Sequence, residues 1–198
     1  LITSRHFLNV ISEFENLFKS HNIKFDYIKG TQFVEKEKIL KFIHKYDGLI
    51  CSDDIIDKEV LNKAKKLKVI SKWGMGIDSI DKITAKKLGI KVKNCKGVFI
   101  ESTSNYVIAM ILNITRFVNL SNNAILNHNW KKFSGFEIKN KTIGIVGAGK
   151  IGKSIIKKIS SFGMKIIVND IKKINNNFLK KYKIKQCDLN YLLNNSDI

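Results

Sequence analysis

A glycine-rich hexapeptide is the clearest chemical motif in the chain. Gly147, Gly149 and Gly152 have the spacing G-x-G-x-x-G directly after the apolar run 142–146, and Asp170 follows 18 residues beyond the last glycine. Between a strand and a helix, this pattern serves dinucleotide binding. The first glycine permits a tight turn, the second lets a pyrophosphate approach the backbone, and the third lets helix and strand pack closely. The spacing predicts a dinucleotide site, and the alternative is a glycine-rich turn that binds nothing.

The residues around this motif also indicate which dinucleotide is bound. A helix predicted to begin at Lys150 would present the free backbone N–H groups of Lys150 and Ile151 to the phosphates. Asp170, at the end of the next predicted strand, can accept hydrogen bonds from both ribose hydroxyls and would repel a 2′-phosphate. This favours NAD over NADP, although Lys172 and Lys173 close by are residues that a phosphorylated cofactor would attract.

A second glycine-rich segment follows an earlier predicted strand. In the run 71–78, Gly74 and Gly76 allow a turn whose backbone N–H groups converge, an arrangement suited to a carboxylate. Lys72 would add a fixed positive charge. Open parallel sheets bind ligands at the carboxyl ends of their strands, so the segment predicts an anion site. A structural loop with Trp73 packed in the core is an equally supported alternative.

The composition argues against several classes of protein. The formal net charge is +19, but only Arg5 and Arg116 among the 36 basic residues are arginine. Because nucleic-acid readers favour arginine for bidentate contacts, we expect no nucleic-acid partner. No apolar run approaches the ~20 residues that span a bilayer, and the first residues lack the pattern of a signal peptide. Three cysteines without a CxxC pair favour reduced thiols in a cytoplasmic protein and argue against a metal site.

Short apolar runs alternate with helical patterns along the chain. Five predicted strands in residues 1–100 imply a parallel sheet with helices on both faces, an α/β domain of flavodoxin-like type. A long apolar helix at 102–120 leads to a second α/β unit, in which we predict only two strands, at 142–146 and 164–168. We therefore expect residues 101–198 to hold a linking helix and the first part of a truncated Rossmann domain, and the chain to be a fragment.

Taken in order, these segments resemble the D-2-hydroxyacid dehydrogenase family, and within it the phosphoglycerate dehydrogenase-like proteins. The resemblance is carried by residues 67–81, by residues 89–94, by the long helix and by the G-x-G-x-x-G motif. It implies a substrate domain, an inserted NAD-binding Rossmann domain and an active site in the cleft. The implied oxidoreductase reaction is hydride transfer between the nicotinamide and C2 of a D-2-hydroxy acid or 2-keto acid.

The resemblance also implies roles for particular residues. The backbone of Met75 and Gly76 would hold the substrate carboxylate, and Lys72 is a further candidate for substrate binding. The family's substrate-binding arginine and its Glu–His acid/base pair are expected beyond Ile198. None of the histidines matches that pair: His6, His21, His44 and His128. We therefore expect no catalytic residue in this chain, which alone would be inactive, and a homodimer for the complete protein.

The substrate stays open at this point. Ser52, Asp53 and Asp54 stand where relatives with phosphorylated substrates often place an arginine, which disfavours a phosphate, whereas Lys72 favours one. A glyoxylate or hydroxypyruvate reductase is therefore one alternative. A non-catalytic NAD-binding regulator is another, because this fold also serves as a nucleotide-sensing corepressor.

Overall fold

The first sheet is parallel, and its three strands are β1 (Gly48–Cys51), β2 (Val69–Lys72) and β3 (Lys91–Asn94). Two further extended segments join its edge, because Ile2 forms parallel bridges to Tyr27 on one side and Ile50 on the other. The resulting spatial order, with the second segment outside the first, is that of a flavodoxin-like sheet. The predicted fold class of this part is confirmed, although its first two strands are reduced to bridges.

The structure is a computed structural model that describes all residues, Leu1–Ile198, and it divides the chain into the units Leu1–Val98 and Phe99–Ile198. The helices of the first unit are α1 (Arg5–Leu8), α2 (Glu15–Ser20), α3 (Lys36–Phe42), α4 (Lys58–Lys63) and α5 (Lys82–Lys87), with 3-10 turns at Ile11–Phe14 and Ile43–Lys45. Asp57 caps α4 by accepting the N–H groups of Glu59 and Val60. Aliphatic side chains such as Ile39, Leu49 and Ile70 are fully buried beneath these helices and form the core.

The second unit contains another parallel sheet, with strands β4 (Thr142–Val146), β5 (Lys165–Asn169) and β6 (Ile184–Gln186). Its helices are α6 (Ile100–Arg116), α7 (Val118–Leu126), α8 (Lys150–Ile159), α9 (Asn176–Lys181) and α10 (Leu189–Asn195), with a 3-10 turn at Ser160–Phe162. The expectation of only two strands was wrong. β6 has three residues, of which only Ile184 is buried, so it contains no apolar run from which a strand could be predicted.

Residues 102–120, which were expected to form a single long helix, belong instead to two helices, α6 and α7. Phe117 has a left-handed backbone with φ of 52°, which ends α6, and the side chain of Asn113 accepts the N–H group of Asn119 just beyond the break. A local hydrogen bond from a side chain thus competes with continuation of the helix. No helix of the chain combines the length and apolar character needed to cross a membrane.

The last residues extend the second sheet on the free side of β4. Ile198 donates its N–H group to the Thr142 carbonyl and accepts a hydrogen bond from the Gly144 N–H group, at 3.3 and 2.9 Å. This is the hydrogen-bond pattern of a parallel ladder. β6, β5 and β4 already lie in that order. The next extended segment therefore lies on the other side of β4, as in a Rossmann sheet, in which the strand order reverses at the first strand. The predicted Rossmann-like fold is confirmed.

Candidate functional site

The glycine-rich motif joins β4 to α8 in the predicted way. Gly147 follows the last residue of β4 and has a φ of 95°, a conformation that favours glycine. A Cβ atom on Gly152 would collide with the carbonyl group of Gly147, so the helix packs directly on the turn only because residue 152 has no side chain. A Cβ atom on Gly149, by contrast, would meet nothing within 4 Å. The turn therefore faces open space at Gly149.

Backbone donors point out of this turn. No side chain caps the N-terminus of α8, and its first internal hydrogen bond runs from the Lys153 N–H group to the Gly149 carbonyl, at 2.9 Å. The N–H groups of Lys150 and Ile151 consequently have no acceptor within the chain. Together with the helix dipole, they favour a negatively charged group at this position.

Asp170 lies beside the same turn, just after β5. Its carboxylate accepts one hydrogen bond from the Lys172 N–H group at 2.8 Å and another from the Ala148 N–H group at 2.7 Å. These two bonds hold the pKa of Asp170 below its usual range, so the group is charged at neutral pH. Each oxygen keeps a lone pair for a ligand hydroxyl. The bond to Ala148, which ties the glycine-rich turn to the end of β5, was missed by the sequence reasoning.

The residues expected to hold this cofactor therefore fit a dinucleotide. Gly149 leaves room for the phosphates, Lys150 and Ile151 offer unpaired donors, and Asp170 is an ionised acceptor at the end of the neighbouring strand. A methyl group at residue 149 would fill the free space, which is the reason that the second glycine of the motif suits a pyrophosphate.

The second glycine-rich segment forms a turn after β2. Trp73 packs edge-on against Phe7, with ring centroids 5.0 Å apart. Asn94, the last residue of β3, donates a hydrogen bond to the Met75 carbonyl. The N–H groups of Met75 and Gly76 have no acceptor within the chain, so two adjacent donors are available for an anion. Asn94 was missed as a site residue, although its position at the end of the neighbouring strand is the signal that would have found it.

Lys72 lies beneath this turn, and it does not point freely into it. The residue is only 4% exposed, and its ammonium group donates hydrogen bonds to the Ser52 carbonyl, to Asp53 at 2.9 Å and to the Ser79 hydroxyl at 3.5 Å. The positive charge of Lys72 is thus paired with the carboxylate of Asp53. Gly74 makes room for the lysine, because a Cβ atom there would lie 3.3 Å from its Cε atom.

The two acidic residues of the preceding loop have different environments. Asp54 is fully buried and accepts hydrogen bonds from the Thr3 hydroxyl at 2.7 Å, the Val34 N–H group at 2.7 Å and the Ser52 N–H group at 3.0 Å. It therefore holds the loop together. Asp53 is exposed and presents its carboxylate to the surface, apart from its contact with Lys72.

Histidines and possible metal ligands are not clustered at these sites. All four histidines are exposed. No three His, Cys, Asp or Glu side chains are placed so that they could hold a metal ion. The two glycine-rich turns thus present unpaired backbone N–H groups, and the first has the Asp170 carboxylate beside it.

Comparison with known proteins finds similar sequences across most of the chain. The family model described as D-isomer specific 2-hydroxyacid dehydrogenase, NAD binding domain, matches residues 108–198. A glyoxylate reductase of Thermofilum pendens is 36% identical over 170 residues, which are 82% of this chain and 50% of the relative. A D-3-phosphoglycerate dehydrogenase of Mycobacterium bovis is 33% identical over 139 residues, which are 69% of this chain and 26% of the relative.

A solved structure shows the same similarity. The D-lactate dehydrogenase of Aquifex aeolicus, crystallised with NAD and lactic acid, matches with a TM-score of 0.80 and 25% identity, over 99% of this chain and 58% of that chain. This chain spans half or less of the length of the two curated relatives named above.

Proposed function

The chain belongs to the D-2-hydroxyacid dehydrogenase family, and from this we propose that the complete protein is an NAD-dependent oxidoreductase. It transfers a hydride between the nicotinamide and a D-2-hydroxy acid or the corresponding 2-keto acid. The observation that carries this proposal is the open space at Gly149 beside the unpaired donors of α8 and the ionised Asp170. When bound, the nicotinamide cofactor would supply the hydride donor for reduction of a 2-keto acid, as NADH, or the hydride acceptor for oxidation of a 2-hydroxy acid, as NAD.

The chain's own residues have two tasks in this proposal. The N–H groups of Lys150 and Ile151 bind the pyrophosphate, and Asp170 accepts hydrogen bonds from the ribose hydroxyls while its charge opposes a 2′-phosphate. The N–H groups of Met75 and Gly76 bind the substrate carboxylate and thereby orient the carbon that exchanges the hydride.

The cofactor proposal is tested by titrating the full-length protein with NADH and NADPH and following the fluorescence of the nicotinamide. We expect tighter binding of NADH. Replacing Asp170 with Ala should weaken NADH much more than NADPH, because only the unphosphorylated ribose gains hydrogen bonds from the carboxylate. Equal losses for both cofactors would refute the role of Asp170.

The pairing of Lys72 favours an unphosphorylated substrate over a phosphorylated one. Since the ammonium group of Lys72 is buried and paired with the carboxylate of Asp53, it offers no free positive charge to a substrate phosphate. We therefore propose a small 2-keto acid such as glyoxylate or hydroxypyruvate. Higher kcat/KM with 3-phosphohydroxypyruvate than with either of these acids would overturn this choice.

The acid/base groups are proposed to lie outside residues 1–198. The family implies an arginine and a Glu–His pair, whereas the four histidines here are exposed and none has the matching position. A polypeptide of these 198 residues should therefore oxidise no NADH with any 2-keto acid. If the full-length protein binds NADH but also turns over no 2-keto acid, the non-catalytic regulator becomes the better proposal.

We further propose a homodimer formed through the second unit. Tyr106, Met110 and Ile114 recur every four residues along α6 and are 66%, 38% and 61% exposed, and Trp130 is 83% exposed. An exposed apolar row along one face of a helix is typical of protein interfaces. Light scattering should give the mass of a dimer for the full-length protein and of a monomer for Ile114→Lys, whereas a monomeric parent would refute the interface.

A cytoplasmic location is proposed as well. Cys51, Cys95 and Cys187 are all free thiols, as expected in a reducing compartment. Cell fractionation should recover the protein with the cytoplasmic fraction.

A further inference from the structure

Gln186, the last residue of β6, holds the loop that follows β5. Its side-chain oxygen accepts a hydrogen bond from the Ile174 N–H group at 3.0 Å. Its side-chain nitrogen donates to the Lys172 carbonyl at 3.0 Å and to the Asp170 carbonyl at 3.5 Å. One amide group thus contacts the backbone of this five-residue loop at its beginning, middle and end.

The loop has few other restraints. Within residues 170–174, the backbone makes hydrogen bonds only to the carboxylate of Asp170 and to the amide of Gln186. Ile174 is buried, whereas Ile171 is 99% exposed. The path of the backbone between the end of β5 and Ile174 is therefore set largely by these two side chains.

The position of the Asp170 carboxylate depends on this path. The carboxylate reaches the Ala148 N–H group of the glycine-rich turn and the Lys172 N–H group of the loop at the same time. Both bonds require the backbone at 170–172 to keep its present shape. Gln186 fixes that shape by donating to the carbonyl groups of Asp170 and Lys172. A chain of hydrogen bonds thus runs from β6 to the glycine-rich turn.

From this geometry we propose that Gln186 is a positioning residue that sets the preference of the site for NAD over NADP. The inference rests on the proposed NAD site. With Gln186 in place, Asp170 faces the ribose, and the backbone of Lys172 is held. Without the hydrogen bonds of Gln186, the loop can move the Asp170 carboxylate away from the ribose. The exposed ammonium groups of Lys172 and Lys173 can then approach a 2′-phosphate.

The test compares two variants of the full-length protein. Gln186→Met has a similar length but no hydrogen-bonding groups. The control, Asn175→Ala, removes the side chain that caps α9 by accepting the Asn177 and Phe178 N–H groups, at 2.9 and 3.3 Å. The control lies one residue beyond the same loop, and its side chain makes no hydrogen bond with Asp170. Both variants are titrated with NADH and with NADPH, and their thermal unfolding is recorded.

We expect Gln186→Met to bind NADH about tenfold more weakly, as the loss of a few hydrogen bonds in a positioning network implies, while its affinity for NADPH is unchanged or higher. Asn175→Ala should lower the Tm and leave the ratio of the two affinities at the value of the parent. An unchanged ratio in Gln186→Met would overturn the proposal. Failure of the parent itself to bind NADH would instead overturn the proposed function, so the two failures are distinguishable.

Discussion

Gly149 and Gly152 should respond in opposite ways to the same substitution, although they lie three residues apart in one motif. We predict that Gly149→Ala keeps the stability of the protein and loses cofactor affinity. We predict that Gly152→Ala loses stability. The contrast arises because a Cβ atom would meet nothing within 4 Å at residue 149, whereas at residue 152 it would collide with the Gly147 carbonyl.

The magnitudes follow from these two environments. At residue 152, overpacking against a backbone atom costs about 1–3 kcal/mol, and the better helix propensity of alanine returns about 0.5–1 kcal/mol. At the middle of both ranges the net loss is about 1 kcal/mol, which lowers the Tm of a unit of this size by about 4–8 °C. Gly149 has φ of −68° and ψ of −163°, which alanine adopts freely, so its folded state is not strained.

At residue 149, the substitution should lower the affinity for the cofactor and not the stability of the fold. A methyl group in the space proposed for the pyrophosphate should weaken NADH by about 1–3 kcal/mol, taken as the cost of an added methyl group in a packed contact, or about 5- to 150-fold. The assay combines urea unfolding of both variants with NADH titration by fluorescence. Unchanged NADH affinity in Gly149→Ala would refute the assignment of the open space to the cofactor, and an unchanged unfolding midpoint in Gly152→Ala would refute the packing argument.

Three further predictions concern buried or ionised groups. Asp54→Ala leaves the buried N–H groups of Val34 and Ser52 without an acceptor, while the Thr3 hydroxyl keeps the Ile50 carbonyl at 3.3 Å, and should lower the free energy of unfolding by about 2–4 kcal/mol; a loss below about 1 kcal/mol in urea unfolding would contradict this. Burial raises the pKa of Cys51 to about 12, so a thiol reagent at pH 8 should modify it only after denaturation, and modification in the native protein would show that the site is accessible. Because the Lys172 and Ala148 N–H groups lower the pKa of Asp170, the tie to the glycine-rich turn is complete above the ordinary carboxyl pKa and is lost as the pH falls through the lowered value. NAD affinity measured by calorimetry should therefore be constant from pH 8 to about pH 5 and decline only below about pH 4, and a decline already at pH 6 would assign the titration to another group.

The sequence alone was sufficient for the features that depend on neighbouring residues. The turn of the G-x-G-x-x-G motif requires glycine at fixed positions, so the type and spacing of Gly147 and Gly152 already predict the strand, the turn and the helix. Asp170 was found in the same way, because the length of a helix and a strand fixes its distance from the motif. The alternation of apolar runs with helical patterns likewise predicted two parallel sheets.

Weak or competing local signals explain two of the differences between the predicted and the observed elements, the missed strand β6 and the broken helix. β6 has one buried residue and contains Lys185, so it is recognisable as a strand only from its pairing with β5. The apolar pattern of α6 continues past Phe117, and only the left-handed backbone of Phe117 and the hydrogen bond from Asn119 to Asn113 show where the helix breaks. The periodicity of apolar residues shows which face of a helix or strand is apolar. It does not show which side chain competes for the hydrogen bonds of its backbone.

The tertiary structure alone decided the partners of the charged and polar groups. Lys72 looked like a free positive charge in the sequence, yet the parallel packing of β1 beside β2 brings Asp53 against its ammonium group and neutralises it. Asn94 reaches Met75, and Gln186 reaches the loop after Asp170, for the same reason: adjacent parallel strands bring their carboxyl ends together. The sequence determined which chemical groups the chain carries and the local geometry of its turns. The pairing of strands determined which of those groups remain free to bind a ligand, because that depends on contacts between residues far apart in the chain.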